Sequence, residues 1–463
     1  MAHKLSDYEK QRLKNIENNA KLLKELHVPL AGQKRPAPTS IKKHVPKKKI
    51  EPKAPTRVSA RLRGAAPETV ESLPTEKEEK NNQTDLRVDR LEEADQKEFL
   101  QMLKKFPNTQ PTTKKELEAE ENSDAEVSKA LQELQIRHSW QTVKVVTERI
   151  TNCVFHPSPG KLLGCGADVI GQLGFWDVEG VKETEDGDEP VVYKYRPHTR
   201  SITDLRFSPV DSTKLYSSSY DGTLQYFDME KAVFTEVSLG DDSLPLTSMV
   251  ITQDGHSAWL ATSMGEIAHK DLRSNSKISV YSLRTKKIGT IDLNPVHEHL
   301  LAIGSNDRTA TVWDHRSFST ETDSITPLHE LEHGYAVTSA YWSPRGDRLA
   351  TASYDDFIRL FTLKNEDMTL HSAIPHNNHT GKWVTNFRAR WNTSPLGYRH
   401  QHMAVGNMKH PVNIYSGESG NLIGDLYDSD RITAVPSVVQ FHPNTTSMAV
   451  LCGNGSGRMV CWT

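Results

Sequence analysis

ITDLRFSPVDSTKLYSSSYDGTLQYFD, from Ile202 to Asp228, holds three short apolar runs parted by SPVDS and by SYDGT. Period-two alternation predicts half-buried strands, and the Pro- and Gly-containing breaks predict tight turns. The pattern returns in IGTIDLNPVHEHLLAIGSNDRTATVWD from Ile288 and in VTSAYWSPRGDRLATASYDDFIRLF from Val337. Weaker copies begin at Ile150, Thr247, Val384 and Ile432, so about seven units follow one another at a period of roughly 30 to 45 residues. One such unit cannot cover both faces of its own sheet, so neighbours must stack.

The copies resemble WD repeats, in His198 with Phe227-Asp228, in Trp313-Asp314, and in the turn aspartates Asp221, Asp307 and Asp355. That resemblance implies an all-β fold, a seven-bladed WD-repeat β-propeller over residues 139–463. The sequence stops at Thr463, directly after the third strand of the last unit, which leaves that blade one strand short. WQTVKVV, Trp140 to Val146, stands ahead of the first unit and is expected to supply the missing strand and remove the open edges.

Upstream the composition changes. The net charge of -3 averages a basic stretch, Lys34 to Arg63, with an acidic one, Glu68 to Glu126. Residues 1–30 predict an amphipathic helix, with Ile16, Ala20, Leu23 and His27 on one stripe and Pro29 ending it. It reads equally as a docking helix or a transient one. Residues 31–67 predict a basic disordered segment whose Lys34-Arg35 and Lys47-Lys48-Lys49 suit an import receptor, against the plain reading of a solvated linker. Residues 68–138 predict an acidic linker that acts as a tether, with helical possibilities such as Leu91 to Phe106.

Four scattered cysteines, Cys153, Cys165, Cys452 and Cys461, signal neither a disulfide framework nor a zinc site. No run approaches the roughly 18 apolar residues of a membrane span, and the N-terminus is too polar for a secretory leader. The expectation is a nuclear protein, with some presence in the cytoplasm, and no membrane partner.

His198, Ser217 to Ser219 and Asp221 have the residue types of a hydrolytic triad, but no nucleophile elbow accompanies them. A hydrogen-bond network clamping the blade is the expected role, and His333 with Asp355 reads the same way. His297 with His299, and His376 with His379, lack neighbouring ligands for a metal. No phosphate loop occurs. A non-enzymatic protein without cofactor or small-molecule substrate is expected.

With antiparallel strands a to d, the d–a and b–c loops open on one face and the a–b and c–d loops on the other. Arg149, Arg200, Lys286, Lys287, Lys382 and Arg431 each precede an a strand, and Lys409 lies in a b–c loop, so these cations are expected to share one rim suited to phosphate. HNNHTGKWVTNFRARW, His376 to Trp391, adds His379, Lys382, Trp383 and Arg388 to that face. An exposed tryptophan can wedge into weakened base stacking. The rival reading packs Trp383 beneath its own loop.

Several passages resemble the fungal WD-repeat DNA damage-binding proteins, which are related to the small subunit of the UV-damaged-DNA-binding complex. They are YEKQRLKNIENNAKLLKEL from Tyr8, RVSARLRG from Arg57, HPSPGKLLGCGADVIGQLGFWDV from His156, TGKWVTNFRARW from Thr380 and VGNMKHPVNIYSG from Val405. The resemblance implies double-stranded DNA, including UV-damaged DNA, and chromatin-associated proteins as partners. It implies DNA contacts at Arg149, at Lys286 or Lys287, and at His379 to Trp383. The relative's Phe-Gln-His wedge is replaced here by a longer loop with Trp383. Trp313-Asp314-His315-Arg316 matches the W-D-x-R box of propellers that serve as receptors of cullin-type ubiquitin ligases, and Asp271-Leu272-Arg273 is a degraded copy. This second reading makes Arg273, Trp313, Asp314 and Arg316 an adaptor site. The rival reading pairs Arg316 with a local carboxylate.

Overall fold

The computed structural model describes residues 93–109, 124–185, 187–240, 244–318, 325–445 and 448–463, together with Lys14. The chain divides into two compact units, Met1–Glu78 and Glu79–Thr463. Lys14 apart, which is helical and exposed, the expectations for the first 30 residues and for the basic segment lie outside the described residues.

The second unit is a seven-bladed propeller, each blade a four-stranded antiparallel sheet. Blade 1 runs through Ile150–Phe155, Leu163–Asp168, Leu173–Thr184 and Gly187–Tyr195, and blade 2 through Ile202–Phe207, Lys214–Ser219, Leu224–Asp228 and Val233–Val237. Blade 3 comprises Leu246–Ile251, Ser257–Thr262, Glu266–Asp271 and Ser279–Ser282, and blade 4 Ile288–Leu293, Leu300–Ser305, Thr309–Asp314 and His329–Glu332. Blade 5 comprises Val337–Trp342, Arg348–Ser353, Phe357–Lys364 and Asp367–Pro375, and blade 6 Arg390–Trp391, His402–Gly406, Val412–Ser416 and Leu422–Leu426. Each a strand lies against the a strand of the next blade, and that of blade 7 against that of blade 1, so the ring closes around a central channel.

Blade 7 takes Pro436–Phe441, Val450–Asn454 and Arg458–Trp462 from its own repeat and Val143–Lys144 from far upstream. Val143 pairs with Met459 and Lys144 with Arg458. Val143, Val145 and Met459 are all buried at this seam.

The a strands share a device. Six of the seven break register after their first residue, at Ile150, Ile202, Leu246, Ile288, Val337 and Pro436. The extra residue of this bulge re-aims its side chain. Where it is threonine, the hydroxyl often reaches the next blade: Thr151 Oγ1 donates to Ile202 O at 2.6 Å, Thr247 to Ile288 O at 2.6 Å and Thr338 to Phe387 O at 3.1 Å.

The described parts of the acidic linker, residues 93–109 and 124–138, depart from the tether expected of them. Helix α1 (Glu93–Leu103) and the turn after it bury Phe99, Met102, Leu103 and Phe106, one helical stripe at i, i+3, i+4 and i+7. Phe99 sits among Phe175, Tyr193, Tyr195 and Phe227, with ring centroids 4.6 to 5.9 Å away. Helix α2 (Asp124–Glu133) buries Val127 and Leu131 in the core that contains Ile414, Leu426 and Val460 of blades 6 and 7. Four apolar residues diluted among acidic ones look solvated as composition, yet suffice to dock a helix once the outer edges of the blades offer a cover.

Candidate nucleic-acid interface

Hydrogen bonds join d–a loops to b–c turns, which places both on one face. Thr199 N donates to Asp221 at 2.8 Å and Gly334 N to Asp355 at 2.9 Å. Gly265, in the b–c turn of blade 3, has φ +87°, and a Cβ there would stand 2.2 Å from Arg284 O, so only glycine allows this approach. The turn aspartates face inward: Asp168 accepts from the main-chain N–H groups of Glu148, Ile170 and Gln172, and Asp307 holds Arg284 at 2.5 Å.

The loop from His376 to Ala389 is long because the a strand of blade 6 is reduced to two residues. It is fastened at both sides. Arg149 Nη1 donates to Lys382 O at 2.6 Å, and Thr385 Oγ1 to Ile150 O at 2.5 Å, so a blade 6 loop reaches past blade 7 to blade 1. On the other flank Tyr354 OH donates to Asn386 Oδ1 at 2.5 Å, and His379 Nδ1 lies 3.0 Å from Asp356. Trp383 is 79 % exposed at the crest, with Lys382 Nζ 5.8 Å from its ring centroid. The reading that tucks this tryptophan under its loop is thereby corrected.

Arg200, Lys286, Lys382 and Lys409 are exposed on this face. Lys287 reaches past blade 3 to the Tyr220 hydroxyl, with its ammonium 4.9 Å from that ring's centroid. Three expectations need correction. His379 faces a carboxylate, Asp356, so it brings no unopposed charge. Arg431 turns inward, where Nη1 donates to Ile136 O and His138 O at 3.0 and 2.9 Å and fastens the segment after α2. Arg388 lies on the a strand side, where its Nη1 is buried and lacks a hydrogen-bond partner. Its alternate neighbours Phe387 and Ala389 fill the core between blades 5 and 6, which turns Arg388 to the other side. Tyr335, 57 % exposed with Arg308 stacked 5.9 Å away, joins the rim, although nothing in its surroundings in sequence marks it.

On the opposite face the expected adaptor site is also corrected. Trp313 is 1 % exposed, and its Nε1 donates to Thr311 Oγ1 at 2.8 Å, so it is core. Arg316 is closed on Asp314 (Nη2 to Oδ2 2.6 Å, Nε to Oδ1 2.9 Å), and Arg273 on Asp271 in the same way at 3.0 and 3.1 Å. Such exposed pairs contribute little to stability. Here both guanidinium forks are already matched by local carboxylates.

The triad-like residues form the blade clamp. His198 Nε2 is 2.8 Å from Ser217 Oγ and its Nδ1 2.8 Å from Thr223 Oγ1, with the imidazole and Ser217 both buried. His333 Nε2 repeats the contact with Thr351 at 2.9 Å. Among the described residues no group of three or more His, Cys, Asp or Glu is placed to hold a metal ion, and no helix is long and apolar enough to cross a membrane.

Sequence comparison accords with this architecture. The family described as WD domain, G-beta repeat matches residues 189–228 and 325–362. "DNA damage-binding protein CMR1" of Phaeosphaeria nodorum is 32% identical, covering 99% of this chain and 98% of its own length. The proteins named "DNA damage-binding protein cmr1" of Aspergillus clavatus and Neurospora crassa are 32% and 30% identical, with the same coverage. Near-complete mutual coverage at this identity, on a WD-repeat propeller, places the chain in the family of fungal DNA damage-binding proteins that these relatives represent.

Proposed function

We propose that this protein is a non-catalytic DNA-binding propeller of the nucleus that recognises distorted duplex, UV-damaged DNA included, in the response to DNA damage. The observation that carries the reading is Trp383, held 79 % exposed on a doubly fastened loop beside Lys382. An aromatic side chain presented rigidly in this way stacks on, or displaces, bases whose own stacking is already weakened. Arg200, Lys286, Lys287, Lys382 and Lys409 neutralise backbone phosphates around it, without base-edge readout. The name shared by the relatives supports the same assignment. Chromatin-associated proteins are the partners this role implies.

Binding of the full chain to intact and UV-irradiated duplexes, measured across salt, tests it. About five phosphate contacts predict a log–log slope near -4.5, or about a 500-fold loss of affinity between 50 and 200 mM salt. Lys287→Glu weakens binding to both duplexes. Trp383→Ala weakens binding to the damaged duplex by roughly 5- to 100-fold, as loss of one stacked base would. A flat salt response, or damage preference unchanged in Trp383→Ala, overturns the proposal.

A further inference from the structure

Inside the ring, away from the crest of the Trp383 loop, the a strands of blades 2, 4 and 6 bring together Asp204, Arg206, Asp292 and Arg390, with Arg388 from the end of the loop that leads into blade 6, positions with no common motif in sequence. Asp204 is fully buried and saturated. Its Oδ1 accepts from Asn152 Nδ2 at 2.6 Å and Leu205 N at 3.1 Å, and its Oδ2 from Ser248 Oγ at 2.8 Å and Met249 N at 3.2 Å. The arginines therefore stand off: Arg206 Nε is 3.8 Å and Arg390 Nη2 3.9 Å from Asp204, and Arg206 Nη2 is 3.9 Å from Asp292. These separations exceed hydrogen-bond reach.

Buried guanidinium donors are thereby left over. Arg206 Nε and Nη2 and Arg388 Nη1 have no hydrogen-bond partner, and Arg390 is stacked 4.2 Å from the Tyr341 ring centroid. Three cations face two carboxylates. Burial raises the Asp292 carboxyl to about 6, against the pull of Arg206 and Arg390, which lowers the negative charge further. A cavity of about 130 Å³ adjoins the cluster, walled by Arg206, Arg390, Phe155, Phe207, Gln440 and Phe441. One water needs only ~10–15 Å³ of such space, so the cavity exceeds what a single bridging water fills. Its walls include the last residues of a strands in blades 1, 2 and 7, so it opens on the a–b face, opposite the proposed DNA rim.

We propose that this channel cavity is a binding site for a small oxyanion, a free phosphate or the phosphate group of a small metabolite, held by Arg206 and Arg390. A phosphate-sized dianion matches the surplus of guanidinium charge that Arg206 and Arg390 bring to the cavity wall. The site is independent of the reading of the DNA rim and lies on the other mouth, so occupancy and DNA binding need not compete.

Thermal unfolding of the full chain in inorganic phosphate, against chloride and acetate at matched ionic strength, tests the proposal. Phosphate is expected to raise the midpoint by about 2 °C or more above chloride. The gain is expected to vanish in Arg206→Gln and to persist in Lys287→Glu. Gln440→Glu adds a negative charge to the cavity wall without touching the ion cluster, and is expected to cut phosphate affinity at least tenfold; it decides alone if Arg206→Gln does not fold. An acetate response equal to that of phosphate, a gain abolished by Lys287→Glu but kept by Gln440→Glu, or no gain over chloride in the unmodified chain each overturns the proposal.

Discussion

Arg149 donates from Nη1 to the main-chain oxygen of Lys382 at 2.6 Å, so the entrance of blade 1 holds a loop that belongs to blade 6. The bond fixes the backbone next to Trp383 and leaves the indole unencumbered. Arg149→Ala is expected to reduce preference for distorted over intact duplex by roughly 3- to 10-fold, the typical net contribution of one solvent-accessible hydrogen bond. Because arginine itself can touch phosphate, Thr385→Val, which removes the second fastening without changing charge, should move the preference the same way by less. Unaltered preference in both variants, in competition binding, refutes the anchoring role.

Asp204 predicts the cost of disturbing the channel. It accepts four hydrogen bonds, one from blade 1, one within blade 2 and two from blade 3, in the midst of three arginines. Although burial works against its charge, Arg206, Arg390 and Arg388 hold its carboxyl below the ordinary range. Asp204→Ala strands donors and cations together and should destabilise the ring by about 3–5 kcal/mol in chemical denaturation. The exposed Asp188→Ala serves as control and should shift stability by less than ~0.5 kcal/mol.

Phe99 tests whether the acidic segment belongs to the folded unit. Fully buried among four aromatic rings, it should cost about 3–5 kcal/mol when replaced by alanine, whereas Lys97→Ala on the exposed side of the same helix should be near neutral. Equal unfolding midpoints for the two variants would show α1 to be only loosely applied.

Acid should unfold the propeller earlier than carboxylates alone require. Burial pushes His138, His156, His333, His402 and His442 each down to about 4 from 6.5. The unfolded chain takes up these protons near pH 6.5 and the folded one only near 4, so the stability they contribute is present above pH 6.5 and is lost as pH falls towards 4. Each is worth at most about 3 kcal/mol over that window. Asp292 has the opposite sign: its carboxyl is raised to about 6, so its contribution is present below the unfolded value near 3.8 and is lost as pH rises through 6. Asp292→Asn should therefore raise the unfolding midpoint more at pH 8 than at pH 5. A midpoint for the parent chain that is level from pH 7.5 to 5 would contradict the histidine assignment.

The repeats and their closure were legible because alternation and turn residues are local signals, and Trp140 to Val146 could be matched to a missing strand by counting. Loop polarity was legible for the same reason: Lys286, Lys382 and Lys409 stand in d–a or b–c loops and are exposed. What no local signal carried is direction. Arg388 and Arg431 precede or open an a strand like the exposed cations, but neighbouring core residues and an upstream carbonyl pair turn them inward. Trp313 resembled a surface motif because its neighbours Asp314 and Arg316 are polar, although strand alternation puts it in the core. The channel cluster unites residues from position 204 to position 390, so only the closed ring reveals it.

The seam between Val143 and Met459 also orders assembly in time. During synthesis the upstream half of the clasp exists long before its mate, and Thr142 must wait for Arg458, 316 positions later. Until then the strand Val143–Lys144 and the outer edge of Arg458–Trp462 are unlatched, each offering bare main-chain groups to whatever strand arrives. Sealing the toroid is thus a single late event, and a neighbouring copy caught at that moment is the natural impostor for the missing strand.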